Sequence, residues 1–146
     1  MLGTGFTANE YLSTLAVTGR GGRRLADDWV DGAEAYLGVT VTGFPNFFML
    51  YGPNTNGVTS ILFMHEAQAS YITKVLRLMR RYGVASVEVR EAVQRTYNDK
   101  IQAAMAGTVW LAGCSNYYSA PSGKVVTQLP YSAGEYWLRT RLVAPW

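Results

Sequence analysis

The chain has 146 residues, a formal net charge of +3, and 49% hydrophobic against 16% charged residues. This length suffices for one domain with a hydrophobic core, and the balance of apolar and charged residues excludes an intrinsically disordered chain. The longest apolar runs, 47–51 and 61–64, are far shorter than the ~18 residues of a membrane span, and so weak a net charge does not indicate a nucleic-acid partner.

The N-terminal segment and the cysteine content bear on the cellular compartment. Residues 1–6 contain neither the basic start nor the apolar stretch of a secretory signal peptide. Cys114 is the only cysteine, so no disulfide can form within the chain. We therefore expect a protein of the reducing cytoplasm.

The first 46 residues show no sustained helical period. Glycines within 19–23 predict a tight turn between short extended pieces, and residues 36–41 predict a further extended piece. The run 47–51 is apolar throughout and lies between turn signals, which predicts a strand buried on both faces, as in a parallel sheet.

Two helices are predicted after this strand. The first starts near Thr59 or Ser60 and has Gly83 as its C-terminal cap. Its last turns carry cations, which interact favourably with the negative end of the helix dipole. The second runs from about Arg90 to Ala106. The stripes expected to face the core are Ile61, Met64, Gln68, Ile72, Val75 or Leu76, Met79 and Tyr82 in the first helix, and Val93, Tyr97, Ile101, Ala104 and Met105 in the second.

Residues 107–146 predict loops and short strands, at 125–127 and 136–141. We therefore expect an α+β fold with one buried strand, a long helix, a second helix and short peripheral strands. No internal repeat or low-complexity linker divides the chain, so residues 1–146 form a single domain or a domain fragment.

The loop between the predicted strand and the first helix is the most informative local feature. It comprises Gly52, Pro53, Asn54, Thr55 and Asn56, followed by Gly57. A strand that leads through such a loop into a helix presents unpaired N–H groups and the positive end of the helix dipole, which can bind carbonyl or phosphate oxygens of a cofactor. The alternative is an ordinary strand–helix turn in which Asn and Thr only cap the helix.

No self-sufficient catalytic or metal-binding constellation is present in the sequence. His65 has no Cys or Asp at ligand spacing, so we expect it to pack on a helix face, and Cys114 has no base beside it. The basic residues within 74–81 indicate a solvated helix end. Because Gly-x-Gly-x-x-Gly, Walker, Ser–His–Asp and zinc patterns are also missing, we predict no catalytic residue and no metal site in this chain.

Several stretches, in order along the chain, resemble the C-terminal part of flavin-containing and Baeyer–Villiger-type monooxygenases. The most specific is the run from Gly43-Phe44-Pro45-Asn46 through Gly52-Pro53-Asn54-Thr55-Asn56. The others are residues 3–6, 17–22, 34–39, 63–64, 66–68, 107–110, 113–114 and 136–137. The chain departs from the family after Asn56, where Gly57-Val58-Thr59-Ser60 is one residue short and lacks the histidine usual there.

The resemblance implies that the chain is a fragment of an α/β FAD-binding fold from an enzyme that uses FAD and NADPH. The strand before Gly52 then belongs to the FAD-binding sheet, and the backbone groups of Gly52 to Asn56 approach the pyrimidine edge of the flavin. The complete enzyme would insert oxygen into ketones or soft nucleophiles.

The family's dinucleotide-binding motifs lie upstream of the segment that this chain resembles, and none is present here. We therefore expect the chain alone to bind no cofactor and to be inactive, to require a missing N-terminal part, and to self-associate as a homo-oligomer. The alternative is a stand-alone, non-enzymatic remnant that acts as an oligomeric structural or binding module.

Overall fold

The computed structural model describes residues 10–111 and 118–142. The family-like stretches 3–6 and 113–114, with Cys114, lie outside the described residues. A 3₁₀ turn, Arg20–Gly22, comes first in the described part. The helices are α1 (Leu25–Asp28), α2 (Ile61–Tyr82), α3 (Glu91–Met105) and α4 (Ala133–Leu142). None of them is long and apolar enough to cross a membrane.

The long helix α2 begins and ends where the sequence predicts. The Ser60 side chain accepts a hydrogen bond from the Leu62 N–H at 3.3 Å, and Gly83 closes the helix with a left-handed φ of 65°. The stripe that faces the core differs at its ends from the predicted one, because Ile61 and Tyr82 are 52% and 61% exposed. The buried side chains are Met64, Ala67, Gln68, Tyr71 and Val75.

The second predicted helix is confirmed as α3, flanked by Arg90 and Ala106 as its cap residues. Its buried face packs into the main core with α2, α4 and the chain reversal at residues 36–40. A smaller second cluster, built on Leu25, Ala35, Val41 and Phe44, covers the N-terminal part of the described chain.

The predicted strands do not form a sheet within residues 10–111 and 118–142. Isolated bridges alone connect extended residues there: Thr18 with Arg24, Tyr36 with Thr40, Asn56 with Gln128, and Ser119 with Val125. The structure is therefore helix-dominated, and the predicted α+β pattern of strands is not seen in it.

The segment 47–51 shows why no strand ladder forms. The N–H groups of Met49 and Tyr51 donate to the Val39 carbonyl and to the Gln68 side chain. The N–H groups of Phe48 and Leu50, on the opposite edge, have no partner in the described part of the chain. A ladder needs consecutive pairs on a neighbouring strand, and that neighbour is absent from the described residues. Leu50 is 48% exposed, so the segment is not buried on both faces as predicted.

Two other predicted extended pieces are wrong. Residues 36–41 reverse direction, since Leu37 and Gly38 both take left-handed φ values and the Tyr36 N–H donates to the Thr40 carbonyl at 2.8 Å. The predicted strand at 136–141 lies inside α4.

Contacts between residues about one turn apart explain why residues 133–142 form the helix α4, although the apolar run 136–138 predicted a strand. The Ser132 hydroxyl accepts a hydrogen bond from the Glu135 N–H, and Glu135 pairs with Arg139 one turn later at 2.8 Å. Tyr136 and Thr140, also one turn apart, are both buried against the core. In a helix, side chains four positions apart lie one turn apart and can meet, whereas in a strand they lie on one face but about 13 Å apart.

Candidate functional site

The five residues predicted to bind a cofactor form a loop that is packed between two other parts of the chain. Gly52, Pro53, Asn54 and Thr55 are buried, and Asn56 is half-buried. The loop lies against the reversal at residues 36–40 on one side and against the extended segment 125–129 on the other.

The approach to the reversal is so close that two glycines are required. A Cβ on Gly38 would lie 2.1 Å from the Thr55 Cγ2 and 2.9 Å from the Pro53 carbonyl oxygen, and Gly38 has a φ of +65°. A Cβ on Gly52 would lie 2.5 Å from the Gly38 carbonyl oxygen. Glycine at both positions therefore lets the two backbones touch.

Hydrogen bonds fix the loop to the segment 125–129. The Asn54 side-chain amide donates to the carbonyls of Val125 and Gln128 at 2.7 and 2.8 Å, and its N–H donates to the Val126 carbonyl. The Asn56 N–H donates to the Thr127 carbonyl at 3.0 Å. The side chain and backbone of Asn54 thus hold the loop to a segment that lies far from it in the sequence.

These bonds leave few loop donors free for a ligand. The Gly52 N–H donates to the Gly38 carbonyl, and the Thr55 hydroxyl donates to the Gly52 carbonyl at 2.6 Å. Pro53 has no N–H. Within the described residues, the Thr55 N–H is the one loop amide that donates no hydrogen bond. Asn and Thr here hold the loop together instead of capping α2, which begins at Ile61 with Ser60 as its N-cap.

Tyr51 links this loop to α2. Its N–H donates to the Gln68 Oε1 at 2.8 Å and its hydroxyl donates to the Asn56 Oδ1 at 2.6 Å. Its ring stacks on His65 with 5.5 Å between centroids and 9° between planes. His65 therefore packs on a helix face, as the sequence predicts, and the described residues contain no group of metal ligands.

A buried polar relay behind Tyr51 was not predicted as part of the site. Gln68 donates from Nε2 to the Tyr136 hydroxyl at 2.9 Å, and that hydroxyl donates to the Leu37 carbonyl at 2.6 Å. Gln68 and Tyr136 have no exposed surface. A glutamine within an otherwise apolar helix stripe is the sequence signal that could have revealed the relay, because a buried amide needs partners.

Known proteins resemble this chain over nearly its whole length, although no family model matches it. A Baeyer–Villiger monooxygenase of Pseudomonas aeruginosa is 44% identical over 133 residues, which are 89% of this chain and 25% of that protein. The FAD-binding monooxygenase ktnD of Aspergillus niger is 38% identical over 142 residues, or 93% of this chain and 23% of that protein.

Solved structures agree with these relatives. A structure of OTEMO in complex with FAD and NADP is 28% identical with a TM-score of 0.82, and the match covers 96% of this chain and 26% of that one. Cyclohexanone monooxygenase from Rhodococcus sp. Phi1 bound to NADP+ is 25% identical with a TM-score of 0.83, over 94% and 26%. The chain is homologous to part of a Baeyer–Villiger-type flavin monooxygenase.

The chain spans about a quarter of the length of the monooxygenases that it matches. The family resemblance seen in the sequence is therefore confirmed, and the helix-dominated architecture is that of one fragment of the monooxygenase fold.

The start of α2 presents apolar side chains in the part of the chain that follows the loop. Ile61 and Leu62, in its first turn, are 52% and 74% exposed.

Gly57 has a φ of +95°, and a Cβ there would lie 2.0 Å from the Gln128 Oε1. Glycine in place of a larger residue thus keeps the connection between Asn56 and α2 close to the segment 125–129.

Proposed function

We propose that this chain is the C-terminal segment of a Baeyer–Villiger-type monooxygenase, where it forms part of the FAD-binding fold and one wall of the active site. The supporting observation is that the match covers nearly all of this chain but only a quarter of each relative. The order of the family-like stretches supports the C-terminal placement. The complete enzyme would use FAD and NADPH to insert oxygen into a ketone or a soft nucleophile.

The loop of Gly52, Pro53, Asn54, Thr55 and Asn56 is the part that we propose to approach the flavin. Two features make the loop suitable for contact with the flavin ring. One is the buried main-chain N–H of Thr55, which has no partner in the described chain, and the other is the nearby N-terminus of α2. Both favour negative charge on a neighbouring ring. FAD would supply the redox chemistry, and the bonds of Asn54 would hold the loop in place.

The chain alone is proposed to bind no FAD or NADPH and to have no oxygenase activity. It carries no Gly-rich loop for the nucleotide half of either cofactor. A few hydrogen bonds of roughly 1 kcal/mol each fall well short of the ~8 kcal/mol that micromolar binding requires. It therefore depends on an N-terminal part, and we place the assembled protein in the cytoplasm.

A complementation experiment tests this proposal. The Pseudomonas aeruginosa relative is expressed without the 133 residues that match this chain, with and without this chain supplied separately. We expect copurification, retained flavin and ketone-dependent NADPH oxidation only when both parts are present. A Gly38→Ala variant of this chain, which displaces the loop, serves as the matched control and should restore little activity.

The alternative function is a stand-alone, non-enzymatic remnant that forms an oligomeric structural or binding module. The observation that favours it is the exposure of large apolar side chains: Val30, Leu62, Val109 and Leu142 are each more than 70% exposed. If this chain fails to copurify with the truncated relative but forms a stable oligomer alone, the result favours the stand-alone module over the monooxygenase segment.

A further inference from the structure

Backbone strain is concentrated where the loop at residues 52–56 meets the chain reversal. Leu37, Tyr51 and Asn54 each take a left-handed φ of 55°, which residues other than glycine rarely adopt. Such a conformation costs free energy, persists only where its surroundings hold it in place, and is found mainly at functional sites. The bonds of Asn54 to the segment 125–129 hold one of the three residues.

The buried relay through Gln68 ends on the other two. The Tyr51 N–H donates to Gln68 at 2.8 Å, Gln68 donates to the Tyr136 hydroxyl at 2.9 Å, and that hydroxyl donates to the Leu37 carbonyl at 2.6 Å. Gln68 and Tyr136 are both 0% exposed, so solvent does not compete for these bonds. The relay therefore connects two strained backbone positions, one in the reversal and one directly before the loop.

One main-chain donor fixes the direction of every bond in the relay. The Tyr51 N–H can only donate, so it must face the Gln68 Oε1, and the Gln68 Nε2 must then face Tyr136. The Tyr136 hydroxyl accepts that bond and gives its single proton to the Leu37 carbonyl. Burial raises the pKa of Tyr136, so this proton stays in place at neutral pH. An apolar side chain in place of Gln68 would leave the buried Tyr51 N–H without a partner.

Tyr51 carries the restraint from the relay into the loop. It directly precedes Gly52, and its hydroxyl donates at 2.6 Å to the Oδ1 of Asn56, the last loop residue. The loop is thus attached to Tyr51 at both of its ends. The Thr55 N–H, which donates no hydrogen bond within the described residues, belongs to the segment between these two attachments.

We propose that Gln68 is a positioning residue for the flavin contact. Together with Tyr136 it holds Leu37 and Tyr51 in their left-handed conformations, and it thereby fixes the loop that carries the Thr55 N–H. Gln68 acts through Tyr51 and does not itself touch the cofactor. The inference rests on the proposed function of the loop, and its test therefore has one part that needs no flavin.

Hydrogen exchange in the 146-residue chain is the part that needs no flavin. Gln68→Met keeps the length of the side chain and removes both of its bonds. The Gly52, Asn54 and Asn56 amides should then exchange about tenfold faster, because the loop opens locally more often, while the amides of α3 keep the parental rate. Tyr136→Phe breaks the relay but leaves Gln68 bonded to Tyr51, so it should give a smaller increase confined to the same amides. If Gln68→Met does not fold, Tyr136→Phe decides the question.

Ile101→Val is the control for a general loss of stability, because it shortens a fully buried side chain of α3 that is not part of the relay. This variant should raise the exchange of the loop and of α3 together. The proposal is overturned if the relay variants behave in the same way as Ile101→Val, or if they leave the loop amides at the parental rate.

The reduction potential of the flavin retained in the complemented monooxygenase is the second measurement. Tyr136→Phe should lower it, because a displaced loop stabilises the negative charge of the reduced ring less well, whereas Ile101→Val should leave it unchanged. Faster loop exchange with an unchanged potential would overturn the role of Gln68 toward the flavin. If the parent chain retains no flavin, the proposed function itself fails, and the exchange rates alone support or overturn the positioning of the loop by Gln68.

Discussion

The side-chain amide of Asn54 donates a hydrogen bond to the main-chain carbonyl of Val125, 71 positions later in the chain, at 2.7 Å. A second bond from the same amide reaches the Gln128 carbonyl. These buried bonds fix the loop of the proposed flavin contact to a segment that lies far from it in the sequence.

Replacing Asn54 should destabilise the fold through both its bonds and its backbone. Asn54→Ala loses two buried hydrogen bonds and places alanine at a φ of 55°, so the free energy of unfolding should fall by about 3–5 kcal/mol. Asn54→Gly loses the same bonds without the backbone strain and should cost roughly 1–2 kcal/mol less. Urea denaturation measures both, and parental stability in Asn54→Gly would show that the bonds contribute nothing.

Gly38 should tolerate no side chain. In Gly38→Ala the new Cβ meets Thr55 and Pro53, so we expect a loss of about 3 kcal/mol or more in the free energy of unfolding. Gly83→Ala is the matched control, because Gly83 has the same φ of 65° but a Cβ added there would have no atom within 4 Å. This variant should lower the free energy of unfolding by only ~1–2 kcal/mol. Equal costs for the two variants would contradict the close contact of the loop and the reversal.

The fold should lose stability at alkaline pH because of its buried tyrosines. Burial raises the pKa of Tyr71 from 10.0 to about 12, and it also raises the pKa of Tyr136 and Tyr97. Between pH 10 and 12 the unfolded chain releases protons that the folded chain retains, so the free energy of unfolding falls as pH rises. In urea titrations, Tyr71→Phe should reduce this slope by up to about 1.4 kcal/mol per pH unit. An unchanged slope in Tyr71→Phe would argue against this cause.

The isolated chain is expected to self-associate through the open edge at residues 47–51. Light scattering after size exclusion should give at least twice the mass of one chain. Leu50→Lys places a charge on that edge and should weaken the association, whereas Leu142→Lys, on exposed α4 surface, should not. A monodisperse monomer that unfolds cooperatively would contradict this prediction, because the chain would then be stable with the edge at residues 47–51 unpaired.

The sequence predicted α2 and α3 well because the signals of these two helices are local. Ser60 and Gly83 bound α2, and the apolar repeat between them has a period that only a helix satisfies. The family resemblance could likewise be seen in short runs such as 43–56, and the comparisons confirm it. The flavin contact of the loop stays a prediction.

The sequence by itself therefore determined α2, α3 and the family that this chain resembles. The tertiary structure decided the rest, because those features depend on residues distant in the chain. The Asn54 amide bonds to Val125 only because the segment 125–129 folds against the loop. The hydroxyl of Tyr136 likewise reaches the Leu37 carbonyl only in the folded chain. A strand and a buried helix can share the same apolar run, and only the partners of its backbone groups distinguish them.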